Sequence, residues 1–398
     1  WGNNYRGQLG NGTTIASSTP VNVIGLPTNI SKIDAGINHT CAFTSTGSLK
    51  CWGRNEDGEL GDGTTINRLF PVDVQGLTSG VLSVSAGGSY DLMPYAHTCS
   101  ILSGGRVKCW GHNGSGQLGV EWNYAVTSPV EVQGLGGSAM AVEAGWDSTC
   151  ALTVGGGLKC WGSNRHGRLG DGTTNSRTYP GWVSGMTSGI TSITSGDSLW
   201  DDGFSCAMNT GGGLKCWGSN NNYELGDGTN VDKLSPVTVS GLSSGVRSAS
   251  AGGEHACVVT SNGGVKCWGR NSSGQLGDGT NTNRSIPVNV VGLTSGISGI
   301  STGNDFTCVL TSAGGVKCWG YNSNGQLGDG TTTNRWTPVD VLGLTSGVIA
   351  ISAGETHTCA VTNGGIVKCW GDSDQGKLGN GSIDYRTAPQ DVTTCPGG

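Results

Sequence analysis

The sequence predicts an all-β fold made of seven copies of one four-stranded antiparallel sheet, and three observations carry that prediction. Cysteines ten residues apart recur seven times, as Cys41/Cys51, Cys99/Cys109, Cys150/Cys160, Cys206/Cys216, Cys257/Cys267, Cys308/Cys318 and Cys359/Cys369. A Trp-Gly dipeptide recurs at Trp1, Trp52, Trp110, Trp161, Trp217, Trp268, Trp319 and Trp370, at intervals of 51, 58, 51, 56, 51, 51 and 51 residues. Between these markers apolar residues come in short runs bounded by Gly, Asn and Ser, with no 3.6-residue periodicity long enough for a helix. Repeats at a fixed period share one core, so the 398 residues are expected to form a single domain. The markers divide it into units 1–51, 52–109, 110–160, 161–216, 217–267, 268–318 and 319–369, with a surplus half-repeat over 370–398.

Each unit carries four apolar runs, which in the sixth are IPVNV at 286–290, ISGIS at 297–301, TCVLT at 307–311 and VKCWG at 316–320. The last two form a hairpin whose register follows from the cysteines. If Cys41 faces Cys51, then Ala42 faces Lys50, Phe43 faces Leu49 and Thr44 faces Ser48. Ser45, Thr46 and Gly47 are left as a three-residue loop, with glycine where positive φ is wanted. Residues directly opposed across antiparallel strands lie about 4.5–5.5 Å apart, within reach of a disulfide, so seven cross-strand disulfides are expected. Closing a loop of this size stabilises by roughly 3 kcal/mol in the chain-entropy account. Disulfides place the chain in an oxidising compartment, extracellular or at the cell surface. The alternative is seven reduced, buried pairs in a cytosolic protein. Two facing thiolates without further ligands do not make a zinc site, so no metal is expected.

Composition narrows the function. Charged residues are 13% and the net charge is −6 with no basic cluster, so a nucleic-acid partner is not expected. No apolar run approaches the roughly 18 residues of a transmembrane helix, and any secretion signal is expected to lie outside this numbering. HExxH, GxSxG, P-loop and dinucleotide-binding signatures are missing from the sequence, so neither an enzyme nor a cofactor is expected.

The string CWGxNxxGQLGDGTTTNRxTPVxVxGL, intact at 318–344 and nearly so at 267–293, precedes SAGxxHTCAxT at 352–362. Together they resemble the repeat of the regulator of chromosome condensation family. The resemblance implies a seven-bladed β-propeller, here with one cross-strand disulfide per blade. Within the connector, Asp62, Asp171, Asp227, Asp278 and Asp329 each precede a base by six residues (Arg68, Arg177, Lys233, Arg284, Arg335), which reads as internal ion pairs. His39, His97, His255 and His357 stand two residues before a hairpin cysteine and read as hydrogen-bonding anchors, because they repeat with the framework. The family's nuclear member is a guanine nucleotide exchange factor. An acidic chain with seven disulfides looks closer to the secreted bacterial members, among them a β-lactamase inhibitory propeller that acts by protein binding.

Function is expected where copies break the pattern. The second unit gains seven residues around SYDLMPYA at 89–96, the fourth gains five around LWDD at 199–202, and the third replaces its GDGT with Val120–Tyr124. These departures are expected on one face of consecutive blades. They give a candidate patch of Tyr90, Leu92, Met93, Tyr95, Trp122, Tyr124, Trp146, Leu199 and Trp200, edged by Asp91, Asp147, Asp201 and Asp202. Aromatics on rigid loops anchor protein or glycan partners, although the insertions could equally pack on one another as a lid. Glu254, Asp305 and Glu355 on later blades are expected to give that face a negative rim. Seven hairpins share eight Trp-Gly connectors, so two connectors should compete for one gap in a closed ring. With the odd Cys395, this points to copies of the chain as partners and to head-to-tail assembly into a surface filament. A secreted monomeric inhibitor or adhesin is the alternative, and an intracellular exchange factor with reduced cysteines is the third reading.

Overall fold

The computed structural model describes residues 1–88, 95–121, 125–196 and 203–393. Seven four-stranded antiparallel sheets follow one another over 30–73, 81–131, 139–182, 190–238, 246–289, 297–340 and 348–391, each built from consecutive strands. These are blades 1 to 7 of a β-propeller. In blade 1 the four strands are Ile30–Ala35, His39–Thr44, Leu49–Gly53 and Arg68–Asp73. First strands of most neighbouring blades touch one another around the centre of the ring. Second strands are buried at every position in blades 1 and 2.

The hairpin has the register its spacing requires. Cys41 pairs with Cys51, Ala42 with Lys50 and Phe43 with Leu49, and Gly47 adopts φ +79° in the loop. All seven expected disulfides are present, in blade order Cys41–Cys51, Cys99–Cys109, Cys150–Cys160, Cys206–Cys216, Cys257–Cys267, Cys308–Cys318 and Cys359–Cys369. Their S–S distances are 2.04–2.15 Å and their Cα separations 4.1–4.2 Å.

Each core lies between two blades. Cys41, Phe43, Leu49 and Cys51 of blade 1 pack against Val81, Val84 and Trp110 of blade 2. Cys308, Val316 and Cys318 of blade 6 pack in the same way against Val348, Ala360 and Trp370 of blade 7. The tryptophan also donates its indole Nε1–H to the preceding blade's connector, as in Trp110 to the Glu59 carbonyl (2.8 Å) and Trp268 to the Glu224 carbonyl (2.7 Å). Gly61 permits that approach, since a Cβ there would stand 2.8 Å from Trp110 Nε1.

The connector is braced by a buried asparagine that the sequence reading passed over. Asn55 Nδ2 donates to Asp62 Oδ1 (3.0 Å), the Thr64 carbonyl (3.0 Å) and the Ile66 carbonyl (3.2 Å), while its Oδ1 accepts from Leu60 N–H (2.9 Å). Asn164, Asn220, Asn271 and Asn322 repeat the pattern. The five expected ion pairs form: Asp62–Arg68 (2.6 Å), Asp171–Arg177, Asp227–Lys233 (3.1 Å), Asp278–Arg284 (2.7 Å) and Asp329–Arg335 (2.7 Å). Partial burial pushes the Asp278 carboxyl up, but bonds from Thr280 and Arg284 outweigh it and hold the group below the ordinary carboxylate value.

The blade is out of phase with the repeat by one strand. The IPVNV run, grouped by sequence with the three runs after it, instead pairs with the third strand of the preceding sheet: Val288 faces Cys267. The unit ends set at Cys51, Cys109, Cys160, Cys216, Cys267, Cys318 and Cys369 therefore do not separate blades. Each of these cysteines sits in the middle of a third strand, as Cys109 does in Val107–Gly111, Cys160 in Leu158–Gly162 and Cys216 in Leu214–Gly218. The physical reason is that the same strand takes the fourth strand on its other edge: Cys109 faces Val130, Cys160 faces Gly181 and Cys216 faces Val237. Every Trp-Gly connector from Trp52 onward accordingly lies inside a blade, between its third and fourth strands. Residues 370–398, expected as a surplus half-repeat, contain the end of blade 7's third strand and its fourth strand, Arg386–Asp391.

The connector without a blade is 1–19. Gly2 bridges Ser17 as Gly53 bridges Arg68, with the same fifteen-residue separation. Trp52 donates to the Gln8 carbonyl (2.9 Å), and Trp1 donates to the Lys377 carbonyl of blade 7 (3.0 Å). Gly12 N–H bonds the Leu69 carbonyl and Gly381 N–H bonds the Ser18 carbonyl. The two end connectors therefore do not compete for one gap. The outer belt has eight places, and seven of them belong to complete blades.

Tyr223 holds φ +69° where the other connectors have glycine, such as Gly58 at +82° and Gly274 at +84°. A non-glycine residue in this region carries strain. Tyr223→Gly should raise stability by about 1 kcal/mol, read as a higher midpoint in denaturant unfolding.

Candidate binding face

The loop between the first and second strands opens beside the Trp-Gly end of the third strand, as the pairing of His39 with Gly53 requires. Of the expected patch, the described residues include Tyr95, Trp146 and Asp147. Tyr90, Asp91, Leu92, Met93, Trp122, Tyr124, Leu199, Trp200, Asp201 and Asp202 lie outside the described residues, as does Cys395.

Tyr95 is exposed and stacks on His112, ring centroids 4.3 Å apart. His112 Nδ1 stands 3.5 Å from Asp57, which pairs with Arg54 (2.9 Å). Arg54 is buried and also reaches Glu59 at 2.6 Å. Burial works against the Arg54 charge, and the carboxylates of Glu59, Asp57 and Glu56 outweigh it, holding its pKa above the usual value. Glu56 in turn meets Arg6 of the first connector. A line of alternating charges thus runs under Tyr95 from the N-terminal segment into blade 2.

Asp147 pairs with Arg168 at 2.9 Å, at the rim of a cavity of about 330 Å³ between blades 3 and 4. Its origin is chemical. At three other junctions a histidine reaches a threonine of the next blade: His39 to Thr98 (2.9 Å), His97 to Thr149 (2.8 Å) and His255 to Thr307 (2.9 Å). Here Ser148 stands in the histidine position and Ser205 in the threonine position. Both line the cavity, with Glu143, Arg168, Thr194 and Ser195.

Part of the expected negative rim is compensated by Arg270. Arg270 meets Glu254 (2.5 Å) and Asp305 (3.7 Å), and Gln275 donates to Asp305 (2.9 Å). Arg270 and Gln275 both come from the connector between the third and fourth strands of blade 5.

The histidines serve as anchors between blades. Burial lowers His39 to about 4 and His97 and His255 to about 3, so they are neutral donors or acceptors at physiological pH. Glu224 stands where other connectors carry glutamine (Gln117, Gln275, Gln326), and burial pushes its carboxyl up to about 7. Asn271, which begins an Asn-Ser-Ser triplet, is buried in its connector. Among the described residues no group of three His, Cys, Asp or Glu is placed to hold a metal ion.

The RCC1-like domain profile matches residues 95–397, and the regulator of chromosome condensation (RCC1) repeat matches 1–43, 30–59 and 46–92. The chain belongs to the RCC1 repeat family. The ultraviolet-B receptor UVR8 of Arabidopsis thaliana is 31% identical over 370 residues, covering 92% of this chain and 82% of the receptor. The human regulator of chromosome condensation is 27% identical, covering 88% of this chain and 87% of its own. The human E3 ubiquitin-protein ligase HERC2 is also 27% identical, but the match spans 7% of that protein. Among solved structures, human WBSCR16 superposes with a TM-score of 0.67 at 25% identity, covering 91% of this chain and 98% of that one. Prp20p of Saccharomyces cerevisiae gives 0.67 at 20% identity over 88% and 87%, which speaks for the fold alone.

The buried titratable groups give this RCC1 propeller opposing pH limbs. A histidine whose folded pKa is depressed contributes stability that is present above about 6.5 and lost as pH falls towards 3–4. The melting temperature should drop between pH 6.5 and 4, and His255→Gln should flatten that limb. Glu224 has the opposite sign: its raised pKa favours the fold below about 4.5, and that advantage is lost as pH rises through about 7. Glu224→Gln should raise the melting temperature at pH 9 and leave it nearly unchanged at pH 5.

Proposed function

We propose that this chain is an extracellular, non-catalytic β-propeller that acts by holding a protein or glycan partner on the aromatic loop face of blades 2–4. The single observation behind the compartment is the set of seven disulfides, one inside each blade. Twelve of the fourteen paired cysteines are buried, and such bonds form and persist under oxidising conditions. No helix among the described residues is long and apolar enough to cross a membrane. The binding face is supported by exposed Tyr95, by Trp146 and Asp147 beside the blade 3–4 cavity, and by the sequence departures clustered in the same three blades. Prp20p has binding properties towards Gsp1p and histones, so protein binding is a use to which this fold has been put. Head-to-tail assembly into a surface filament is a second reading. The leftover Cys395 favours it, since an unpaired cysteine in an oxidising compartment can form an intermolecular bond.

A thiol reagent applied to unreduced native protein should label at most Cys395, and labelling of the fourteen paired cysteines would overturn the extracellular reading. Trp146→Ala combined with Trp122→Ala and Trp200→Ala should weaken retention of the native partner by about tenfold or more. Unchanged retention would remove the aromatic face. Acceleration of guanine nucleotide release from a small GTPase by the oxidised chain would overturn the non-catalytic reading.

A further inference from the structure

We propose that the hairpin-loop end of blades 3, 4 and 5 is a second binding surface, for an acidic polysaccharide that stacks a sugar ring on Trp182 and sets its anionic groups against Lys159, Lys215 and Lys266. This surface lies at the opposite end of the strands from the aromatic loop face, goes beyond that reading and does not depend on it. Every third strand carries a lysine just before its cysteine, and the register sets it opposite one residue of the fourth strand. In four blades that residue is an acid: Lys50 faces Asp73, Lys108 faces Glu131, Lys317 faces Asp340 and Lys368 faces Asp391. Three of these close as ion pairs, Lys50–Asp73 (2.7 Å), Lys317–Asp340 (2.6 Å) and Lys368–Asp391. In blades 3, 4 and 5 the acid is gone, and Lys159 faces Trp182, Lys215 faces Thr238 and Lys266 faces Asn289.

No other acid replaces the missing ones. Residues 177–196, 204–216, 233–251, 257–267 and 284–302, which make up the fourth strands, the turns after them, the first strands and the hairpins of this sector, contain neither Asp nor Glu. Arg177, Lys233 and Arg284 in these segments are paired with connector aspartates at the other end of the strands. The acids of blades 3 to 5 are gathered in the connectors and first-to-second-strand loops, so an acidic chain presents one cationic sector at its hairpin end. Such a field draws in anions and is focused by the absence of a compensating charge. It is invisible in the sequence because the three lysines stand 56 and 51 residues apart.

The residues beside the lysines choose a glycan over an acidic peptide. Trp182, in the place of an acid, is 45% exposed. Lys159 Nζ stands 4.6 Å from its ring centroid and donates to the Gly134 carbonyl (2.7 Å), which fixes the cation beside the ring. Gly157 of the hairpin lets the ring lie against bare backbone, since a Cβ there would stand 2.5 Å from Trp182 Cζ3. The indole is thus held flat with part of its surface in solvent, the form of platform on which the apolar face of a pyranose stacks. At the other end of the row, Lys266 bonds Asn289 (2.9 Å) and lines a cavity of about 260 Å³ with Thr260, Asn262 and Thr294. Hydroxyls and amides around a cation match a sugar whose hydroxyls flank an anionic group. A peptide of acidic residues would engage the lysines and leave the indole and these polar groups without a use.

The probes are hexagalacturonate, whose anions are carboxylates, and a chondroitin sulfate hexasaccharide, which adds sulfates, each titrated into the oxidised full chain by calorimetry at low salt. The expected result for at least one of them is a single site with a dissociation constant below about 1 mM, lost as sodium chloride rises to about 1 M, where charges are screened beyond about 3 Å. Trp182→Ala should weaken binding by about tenfold. Thr238→Asp combined with Asn289→Asp should weaken it by about twentyfold, because it restores to blades 4 and 5 the lysine–aspartate pair of blades 1, 6 and 7. Those blades fold with that pair, so this variant should keep the cooperative melting curve of the parent. Trp146→Ala, on the aromatic loop face, should leave binding here unchanged. Failure of both probes to bind, equal binding of neutral maltohexaose, or binding indifferent to both the Trp182 and the double variant would overturn the proposal. A hexaglutamate peptide that binds as tightly as the glycans and ignores Trp182→Ala would identify an acidic protein as the occupant and would also overturn it.

Discussion

The bond from each tryptophan indole to the preceding connector's carbonyl is the constraint on which the propeller depends. It forms eight times, at 2.7–3.0 Å, and closes a circle through Trp1 and Lys377. Seven of these indoles are essentially inaccessible to water. A buried N–H without an acceptor would cost about 1–3 kcal/mol, so the geometry of one blade is dictated by the connector of another. The same ring lies against the previous blade's hairpin, so a blade cannot bury its own core alone. Truncating a buried tryptophan typically costs about 3–5 kcal/mol, a large share of the roughly 5–15 kcal/mol by which domains are stable. Stability is therefore a chain of neighbour terms, and its weak places are junctions where a term is missing.

The sequence rules the histidine–threonine contact out of the 3–4, 4–5 and 6–7 junctions, where Ser148, Phe204 and Phe306 replace the histidine, and the cysteines report where burial is incomplete. Twelve paired cysteines are buried, while Cys150 and Cys359 are half-buried. Cys150 lines the cavity between blades 3 and 4, where Ser148 and Ser205 are too small to make the histidine–threonine bridge, yet its partner Cys160 stays fully buried. Cys359 belongs to blade 7, which no further blade follows among the described residues. The disulfides hold each hairpin regardless of its neighbours, which is why an incomplete junction leaves its hairpin intact. Covalent closure within a blade and packing between blades thus do separate jobs.

How much of this was legible depended on sequence distance. The hairpin register followed from a ten-residue spacing and a three-residue loop ending in Gly47, and the Asp–Arg pairs from a six-residue spacing. The histidine contacts were legible as anchors but not by partner, because Thr98, Thr149 and Thr307 lie in the next unit. The phase of the blade was not legible at all. A periodic sequence has no origin, and the fourth strand joins its sheet across a connector of some fifteen residues whose pairing is invisible to pattern. Boundaries after Cys109, Cys160 and Cys216 do not separate blades, because each of those strands is paired on both edges. The partial compensation of the negative rim was hidden for a related reason, since Arg270 comes from a connector while Glu254 and Asp305 lie on loops of two different blades. Of the aromatic patch, Tyr95, Trp146 and Asp147 lie on described loops.

Function in such a molecule is confined to what the framework does not consume. The connector asparagines, aspartates and arginines bond one another, and three of the histidines are spent on threonines of the next blade. The positions left over include the loops of blades 2–4 and the junction lined by Ser148 and Ser205. A propeller of this construction can change partners by altering a loop or a junction without touching the tryptophan circle, because neighbour coupling confines the cost of each change to the blades it touches.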